Sequence, residues 1–476
     1  MNRAATSADS ALSEDVADRS ADVVVLAPDD GSELGVLPID SEDSIDQKVR
    51  DASRAMRSWS EASPMHRADV LLRIARQTRL RFDELVPALA KEQGKTLKEA
   101  ALELERYVGP FIQYAGLATH SRGRYQSLGG GVEGHLEYLP VGVVAAVVPW
   151  NFPASLFGSK LAPALAAGCG FVIKPSETTP LITRRLAAIA QAELPEGLLD
   201  VVVGGGAQGE LLISHPLVAR VAFTGSTDVG RRIAASSGAH LKRVTLELGG
   251  CDPFVLLEDA DLAAAVRVLM GSRFYNAGQV CVAPKRLIVH ERVAEQVIAL
   301  LEERLARVRL GPSLEPSSTM GPLHTAAART RIEAQVADAV SRGAAVVGGG
   351  RPAGAPYEHG HFALPALVID PPPDALVRSE ETFGPVLTVV RVGSDDEAVA
   401  VATETEFGLG ASVWSGDHKR AWRIARRIPA GYTWINAMAR VYDELPFGGV
   451  GASGIGREHG IEALESYLEP RTFISS

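Results

Sequence analysis

Cys281 stands in Phe274-Tyr-Asn-Ala-Gly-Gln-Val-Cys281-Val-Ala-Pro-Lys285, directly after Gly278, Gln279 and Val280. A thiolate there could capture an electrophilic carbon, yet a free cysteine can equally be a small buried hydrophobe. One cysteine motif does not choose between the two. Glu247, in Leu246-Glu-Leu-Gly-Gly250, lies between two leucines. An apolar setting raises a carboxyl pKa toward neutrality and suits it to activate water. Phe223-Thr-Gly225-Ser226-Thr-Asp-Val-Gly230 joins a strand to a helix. Gly225 would let the backbone approach a phosphate and Ser226 could donate to it, or the two make a plain glycine turn. Gly204-Gly-Gly-Ala-Gln-Gly209, which contains Gly205, fits the dinucleotide pattern G-x-G-x-x-G letter for letter, but it is not at the first strand-to-helix turn and so loose a match carries little alone. Three further stretches complete the set: Pro149-Trp-Asn-Phe-Pro153, Glu381-Thr-Phe-Gly-Pro385 and Pro446-Phe-Gly-Gly449. Taken singly, Asn151 is a turn residue beside prolines and Glu381 a solvated loop acid.

The chain that must position these groups has 476 residues, enough for two to four domains, with 46% hydrophobic and 22% charged residues. A net charge of -10 argues against a nucleic-acid or anionic-membrane surface. The three cysteines, Cys169, Cys251 and Cys281, form no disulfide framework and no paired metal spacing, which fits a reducing compartment and no metal site. Residues 1 to about 20 are polar and read as a frayed end without a leader. The most apolar run, Val141–Val148, is far shorter than the ~20 residues a bilayer-spanning helix needs, so a cytoplasmic protein is expected.

Helical patterns come first, with Ser63-Pro64 as a helix start and Glu99–Ala118 continuing them. Ser121–Leu139 reads as a hairpin turned by Gly129, Gly130 and Gly131. From Val141 short apolar strands alternate with amphipathic helices. Strands are expected at Val143–Val148, Gly170–Lys174, Val201–Val203, Val218–Thr224 and Arg243–Glu247, and helices at Ser155–Ala167, Pro180–Ala192 and Gly209–Ser214. A second series follows, with strands at Pro253–Leu257, Arg286–His290, Ala344–Val347 and Val386–Val390. Such alternation gives a doubly wound parallel sheet covered on both faces.

In this order, the quoted stretches resemble the aldehyde dehydrogenase superfamily from about residue 35 to the C-terminus. The resemblance implies an α/β protein of two doubly wound Rossmann-like domains plus a small β oligomerisation arm. Residues 1–121, 141–247 and 431–462 would bind the dinucleotide, 248–430 would be catalytic, and 122–140 with 463–476 would form the arm of a homodimer or homotetramer. It makes Cys281 the nucleophile that forms a thiohemiacetal and then a thioester, Glu247 the base that hydrolyses the thioester, Asn151 an oxyanion donor with the Cys281 N–H, and Lys160 part of the polar network. NAD would lie along Pro149, Trp150, Lys174, Ser176, Glu177, Gly205, Gly225, Ser226, Leu248, Glu381 and Phe383. Glu177 at the ribose favours NAD over NADP, although Lys174 and Ser176 could still accept a 2′-phosphate. Phe152, Leu156, Tyr275, Val282, Arg440 and Val441 would line the substrate tunnel, which is mostly apolar, so an aliphatic or aromatic aldehyde is expected to yield a free acid. Succinic semialdehyde dehydrogenases share most of these motifs but typically carry arginine where this chain has Tyr275, and often cysteine where it has Ala283. The resemblance also leaves room for a coenzyme A-acylating or phosphorylated-aldehyde enzyme, and for an inactive structural homologue.

Overall fold

The computed structural model describes residues 22–120 and 123–476. The expectations for the first 20 or so residues, and for Ser121 and Arg122, fall outside the described residues. The alternating pattern folds into two predominantly parallel sheets with helices packed on them. The smaller has six strands, in the order Gly454–Ile455, Arg243–Glu247, Val218–Thr224, Val143–Val147, Gly170–Lys174, Leu199–Val201. Only Gly454–Ile455 runs antiparallel to its neighbour. From Val143 the chain winds outward to Leu199 and then returns beside its start to wind the other way. The reversal lies between Val143–Val147 and Val218–Thr224. An open α/β sheet binds ligands in the crevice beyond the carboxyl ends of such a strand pair. Pro149–Phe152 and Gly225–Thr227 leave those two ends.

The larger sheet has seven strands, ordered Ala345–Gly348, Ala366–Ile369, Val386–Val392, Arg286–His290, Pro253–Leu256, Gly410–Trp414, Tyr432–Ile435, antiparallel only in its first pair. Cys281 enters it just before Arg286–His290, at the amino edge, whereas Glu247 and Asn151 stand at the carboxyl edge of the smaller sheet. The expected hairpin forms from Arg124–Gly129 and Val132–Pro140, and the C-terminal Leu468–Ser475 pairs with the second strand along its length.

Three local expectations are corrected. The strand expected at Val201–Val203 runs instead over Leu199–Val201, and the next helix, Gly206–Ser214, starts before Gly209. An unforeseen antiparallel pair, Asp22–Leu26 with Glu33–Pro38, opens the described chain. Tyr432–Ile435 pairs with Gly410–Trp414, so the return to the smaller sheet comes after residue 435 and not at 431. Helix Pro64–Arg79 starts as read, its first turn capped by the Ser63 hydroxyl.

Candidate active site

The loop carrying Cys281 is bent by the short turn Tyr275–Gly278, in which Asn276 and Ala277 adopt left-handed φ values of 51° and 52° and Gly278 one of 75°. A Cβ at 278 would stand 2.2 Å from the Gly384 carbonyl oxygen, so only glycine fits. Left-handed backbone at alanine costs about 1–2 kcal/mol and persists only where the surroundings impose it. Buried Arg273 imposes it from one side, donating to the carbonyls of Val386 at 2.8 Å, Thr382 at 2.9 Å and Gly278 at 3.3 Å. Glu99 acts from the other, accepting the Asn276 N–H at 2.7 Å. The same carboxylate closes the capping box of helix Leu97–Ala118 with Thr96. Asn276 Nδ2 then donates to the Asn151 carbonyl at 3.0 Å.

This framework brings the expected oxyanion donors together. Asn151 Nδ2 donates to the Gln279 carbonyl at 3.1 Å and keeps a second hydrogen. The Cys281 N–H has no backbone acceptor among the described residues. Cys281 is partly exposed, whereas Cys169 and Cys251 are buried, as packing residues should be. Burial pushes the Cys281 thiol up to about 12, with Lys285 opposing and Glu381, Asp252 and Glu247 adding to the rise. Buried Lys285 donates to the carbonyls of Val280, at 3.0 Å, and Cys281, and faces Glu381 at 3.6 Å. It is the cation placed to favour thiolate at residue 281.

Glu247 is buried, and neither of its carboxylate oxygens has a protein partner. Desolvation raises its pKa well above the ordinary carboxylate value, Glu458 adds to the rise, and Lys160 and Arg457 oppose it. A Cβ at Gly448 would stand 2.5 Å from Glu247 Oε1, so a side chain there would block the carboxylate. Lys160, fully buried, pairs with Glu458 and donates to the Thr224 hydroxyl at 2.7 Å. Ser159 donates to the other Glu458 oxygen at 2.9 Å. Lys160 therefore belongs to a buried polar group with Glu458, Ser159 and Thr224.

The residues expected at the cofactor lie on several segments, of which Pro149–Trp150 and Gly225–Ser226 follow the two strands at the reversal. Helix Thr227–Ala239 begins at Ser226, whose side chain makes no capping hydrogen bond, so the hydroxyl and the first-turn N–H groups remain available for a pyrophosphate. Leu248 packs on the first turn of that helix at Gly230. The Gly205 N–H is taken by Gln208 at 3.1 Å. Lys174 is buried and lies 3.8 Å from the exposed Glu177 carboxylate, and Ser176 bonds Thr178 at 3.0 Å. Trp150, beside Pro149, meets Phe383 edge-on at 5.7 Å and stacks on His324 at 4.6 Å. Glu381 accepts the Gly250 N–H at 3.2 Å. These donors, the free helix N-terminus and the two carboxylates fit a dinucleotide.

On the opposite side, Phe152, Leu156, Tyr275 and Val282 form one apolar cluster with Val280 and Ala283. Exposed Arg440 and half-buried Val441 are on a loop where the Arg440 guanidinium covers Tyr442 at 5.0 Å.

The sequence profile of the aldehyde dehydrogenase family matches residues 16–473. The chain belongs to the aldehyde dehydrogenase family. Among members of this family, succinate-semialdehyde dehydrogenase [NADP(+)] of Escherichia coli is 37% identical over 454 residues, covering 94% of this chain and 92% of that protein. Betaine aldehyde dehydrogenase of Brucella anthropi is 36% identical over 451 residues, covering 94% and 92%. The crystal structure of a Staphylococcus aureus betaine aldehyde dehydrogenase in complex with NAD+ superposes with a TM-score of 0.92 at 31% identity, covering 95% of this chain and 91% of that one.

Within this aldehyde dehydrogenase site, Glu458, Lys285, Arg273 and Glu99 escape the sequence. Glu458 follows the glycine-rich Pro446–Gly456 segment and meets Lys160 across 298 residues, a pairing no local pattern announces. Lys285 does carry a signal, as a lysine heading an apolar strand four residues after the cysteine.

Proposed function

We propose that this aldehyde dehydrogenase oxidises an aldehyde to the free carboxylic acid with NAD+ or NADP+. Two observations carry the proposal: a buried Glu247 carboxylate with both oxygens unpartnered, near enough to raise the Cys281 thiol, and an Asn151 amide bonded to the Gln279 carbonyl two residues before Cys281. Cys281 adds to the carbonyl carbon, and the amide of Asn151 and the N–H of Cys281 take the developing oxyanion. Losing one such donor costs about 3 kcal/mol, roughly a hundred- to thousandfold in rate. Ser226, Lys174, Glu177 and Glu381 would hold the nicotinamide cofactor, which would supply the hydride acceptor for this oxidation. The thioester left on Cys281 is hydrolysed by a water that gives its proton to Glu247. Carboxylic acid and free thiol result. Glu247 argues against acyl transfer to coenzyme A, so acid and reduced cofactor should form in equal amounts whether or not coenzyme A is added. An acyl-coenzyme A product would overturn the hydrolytic assignment.

The smaller sheet is assigned to the cofactor, the larger to catalysis, and the three-stranded sheet to assembly. Among the described residues, no helix is long and apolar enough to cross a membrane and no His, Cys, Asp and Glu cluster is arranged to hold a metal. The strands Arg124–Gly129 and Leu468–Ser475 are both edges of the arm sheet and are largely exposed, and unpaired edges call for partners. Light scattering should therefore give a dimer or a dimer of dimers; a clean monomer would refute the assembly.

A further inference from the structure

In the apolar cluster that includes Val280 and Val282, the residues on either side of Cys281, four groups stack. The rings of Phe152 and Tyr275 lie 5.8 Å apart and 20° from parallel. The Lys95 ammonium lies over Phe152, 4.1 Å from its centre, and the Arg106 guanidinium over Tyr275, 5.4 Å from its centre. At that spacing nothing fits between the rings, so each cation covers an outer face. Aromatic faces are what recognise onium groups. Here cations already occupy them, and a positively charged aldehyde would be repelled.

The two cations differ in how far they are satisfied. Lys95 is fully buried, paired with Glu103, and donates to the Asn151 carbonyl at 2.9 Å. Arg106, on the exposed side of helix Leu97–Ala118, forms neither a salt bridge nor a hydrogen bond among the described residues. Each carboxylate of its own helix has another partner. Glu103 holds Lys95 and the N–H groups of Ala154, at 2.8 Å, and Ser155, at 3.3 Å. Glu99 holds Thr96 and the Asn276 N–H, and Glu105 pairs with Arg79 at 2.8 Å. On the facing loop Asp443, packed on Gly109 one turn beyond Arg106, lies 3.1 Å from His459. The Tyr275 hydroxyl is buried and without a partner. An uncommitted guanidinium fork beside an unused hydroxyl donor is matched by a carboxylate.

We propose that Arg106 sets the substrate specificity of this enzyme, and that its aldehyde carries a carboxylate at the end remote from the carbonyl. This narrows the apolar expectation for the tunnel, and it rests on the aldehyde dehydrogenase function proposed above. A dicarboxylic acid is then the product, so the reaction that supplies the substrate must leave an aldehyde on a carboxylate-bearing chain, as removal of an amine from an ω-amino acid does.

The test is steady-state kinetics of the full-length enzyme with NAD+ or NADP+ on 4-oxobutanoate, 5-oxopentanoate, their methyl esters and betaine aldehyde. Charge-assisted hydrogen bonds of this kind correspond to about ten- to a hundredfold in kcat/KM. The wild type should prefer each acid to its ester by that factor and use betaine aldehyde least. Arg106→Met should collapse the acid-to-ester ratio toward one, mainly through KM, and Arg106→Lys should restore part of it. An unchanged ratio in Arg106→Met, or a wild type that prefers the esters or betaine aldehyde, would overturn the proposal while leaving the dehydrogenase intact. Absence of turnover on every aldehyde would instead overturn the dehydrogenase on which it rests.

Discussion

Cys281→Ala leaves an enzyme that binds NAD+ or NADP+ but forms no reduced cofactor, in the first turnover or any later one. Expelling hydride from a carbonyl carbon requires a tetrahedral species, and the sulfur of Cys281 is the group placed to make it, beside the Asn151 amide and the unpaired Cys281 N–H. Where a covalent nucleophile acts as one unit with its neighbours, removing it alone costs on the order of a millionfold in kcat. The cofactor contacts assigned to Ser226, Lys174, Glu177 and Glu381 do not involve the thiol, so binding followed by fluorescence titration should persist. Substantial turnover by the alanine variant would end the covalent scheme.

Glu247→Gln separates the two halves of the reaction. The first half uses the sulfur and the oxyanion donors, so reduced cofactor should still appear as a burst of about one equivalent per site. The second half needs a base, and its loss should slow the steady rate by about a hundred- to ten-thousandfold. In the parent enzyme the base must be ionised, and burial together with Glu458 holds the carboxyl well above its ordinary value. Deacylation should therefore rise with pH through that raised pKa and fall away on acidification. The stability consequence has a definite sign. A carboxyl whose folded pKa is raised favours the folded state less once pH exceeds its unfolded value, near 4.3 for a glutamate. The neutral, isosteric glutamine should melt no lower than the parent at neutral pH, and higher if anything. A variant that melts earlier and shows no burst would assign Glu247 to structure and not to chemistry.

The parts legible in the sequence are those written in local pattern. Apolar strands alternating with helices from Val143 onward announced both sheets, because burial on two faces needs continuous apolar runs. The glycine turn at Gly225 and the stretches around Cys281, Glu247 and Asn151 pointed to the candidate site, since close backbone approach and reactive side chains demand particular residue types at fixed places. What stayed hidden depends on long-range pairing. Lys160 meets Glu458 across 298 residues and Asn276 meets Glu99 across 177, and nothing near either partner betrays the contact. Residues 431–462 read as part of the dinucleotide-binding domain, and only the long-range pairing of Tyr432–Ile435 with Gly410–Trp414 places that strand in the larger sheet. Arg106 was passed over for a related reason: on a helix it reads as a solvated charge, and only the fold lays it across Tyr275. The left-handed Asn276 and Ala277 could not be foreseen either, as neither residue type demands that backbone; Arg273 and Glu99 impose it from a distance.

Acid-quenched intact-mass analysis with peptide mapping, on Glu247→Gln mixed with aldehyde and cofactor, tests the central claim most directly. Joining an aldehyde to a thiol and expelling hydride leaves an adduct equal to the aldehyde mass less two hydrogens. That adduct should appear at about one per chain, on the peptide containing Cys281, and should be absent when cofactor is withheld. Reduced cofactor forming with no such adduct, or an adduct mapped to Cys169 or Cys251, would contradict it.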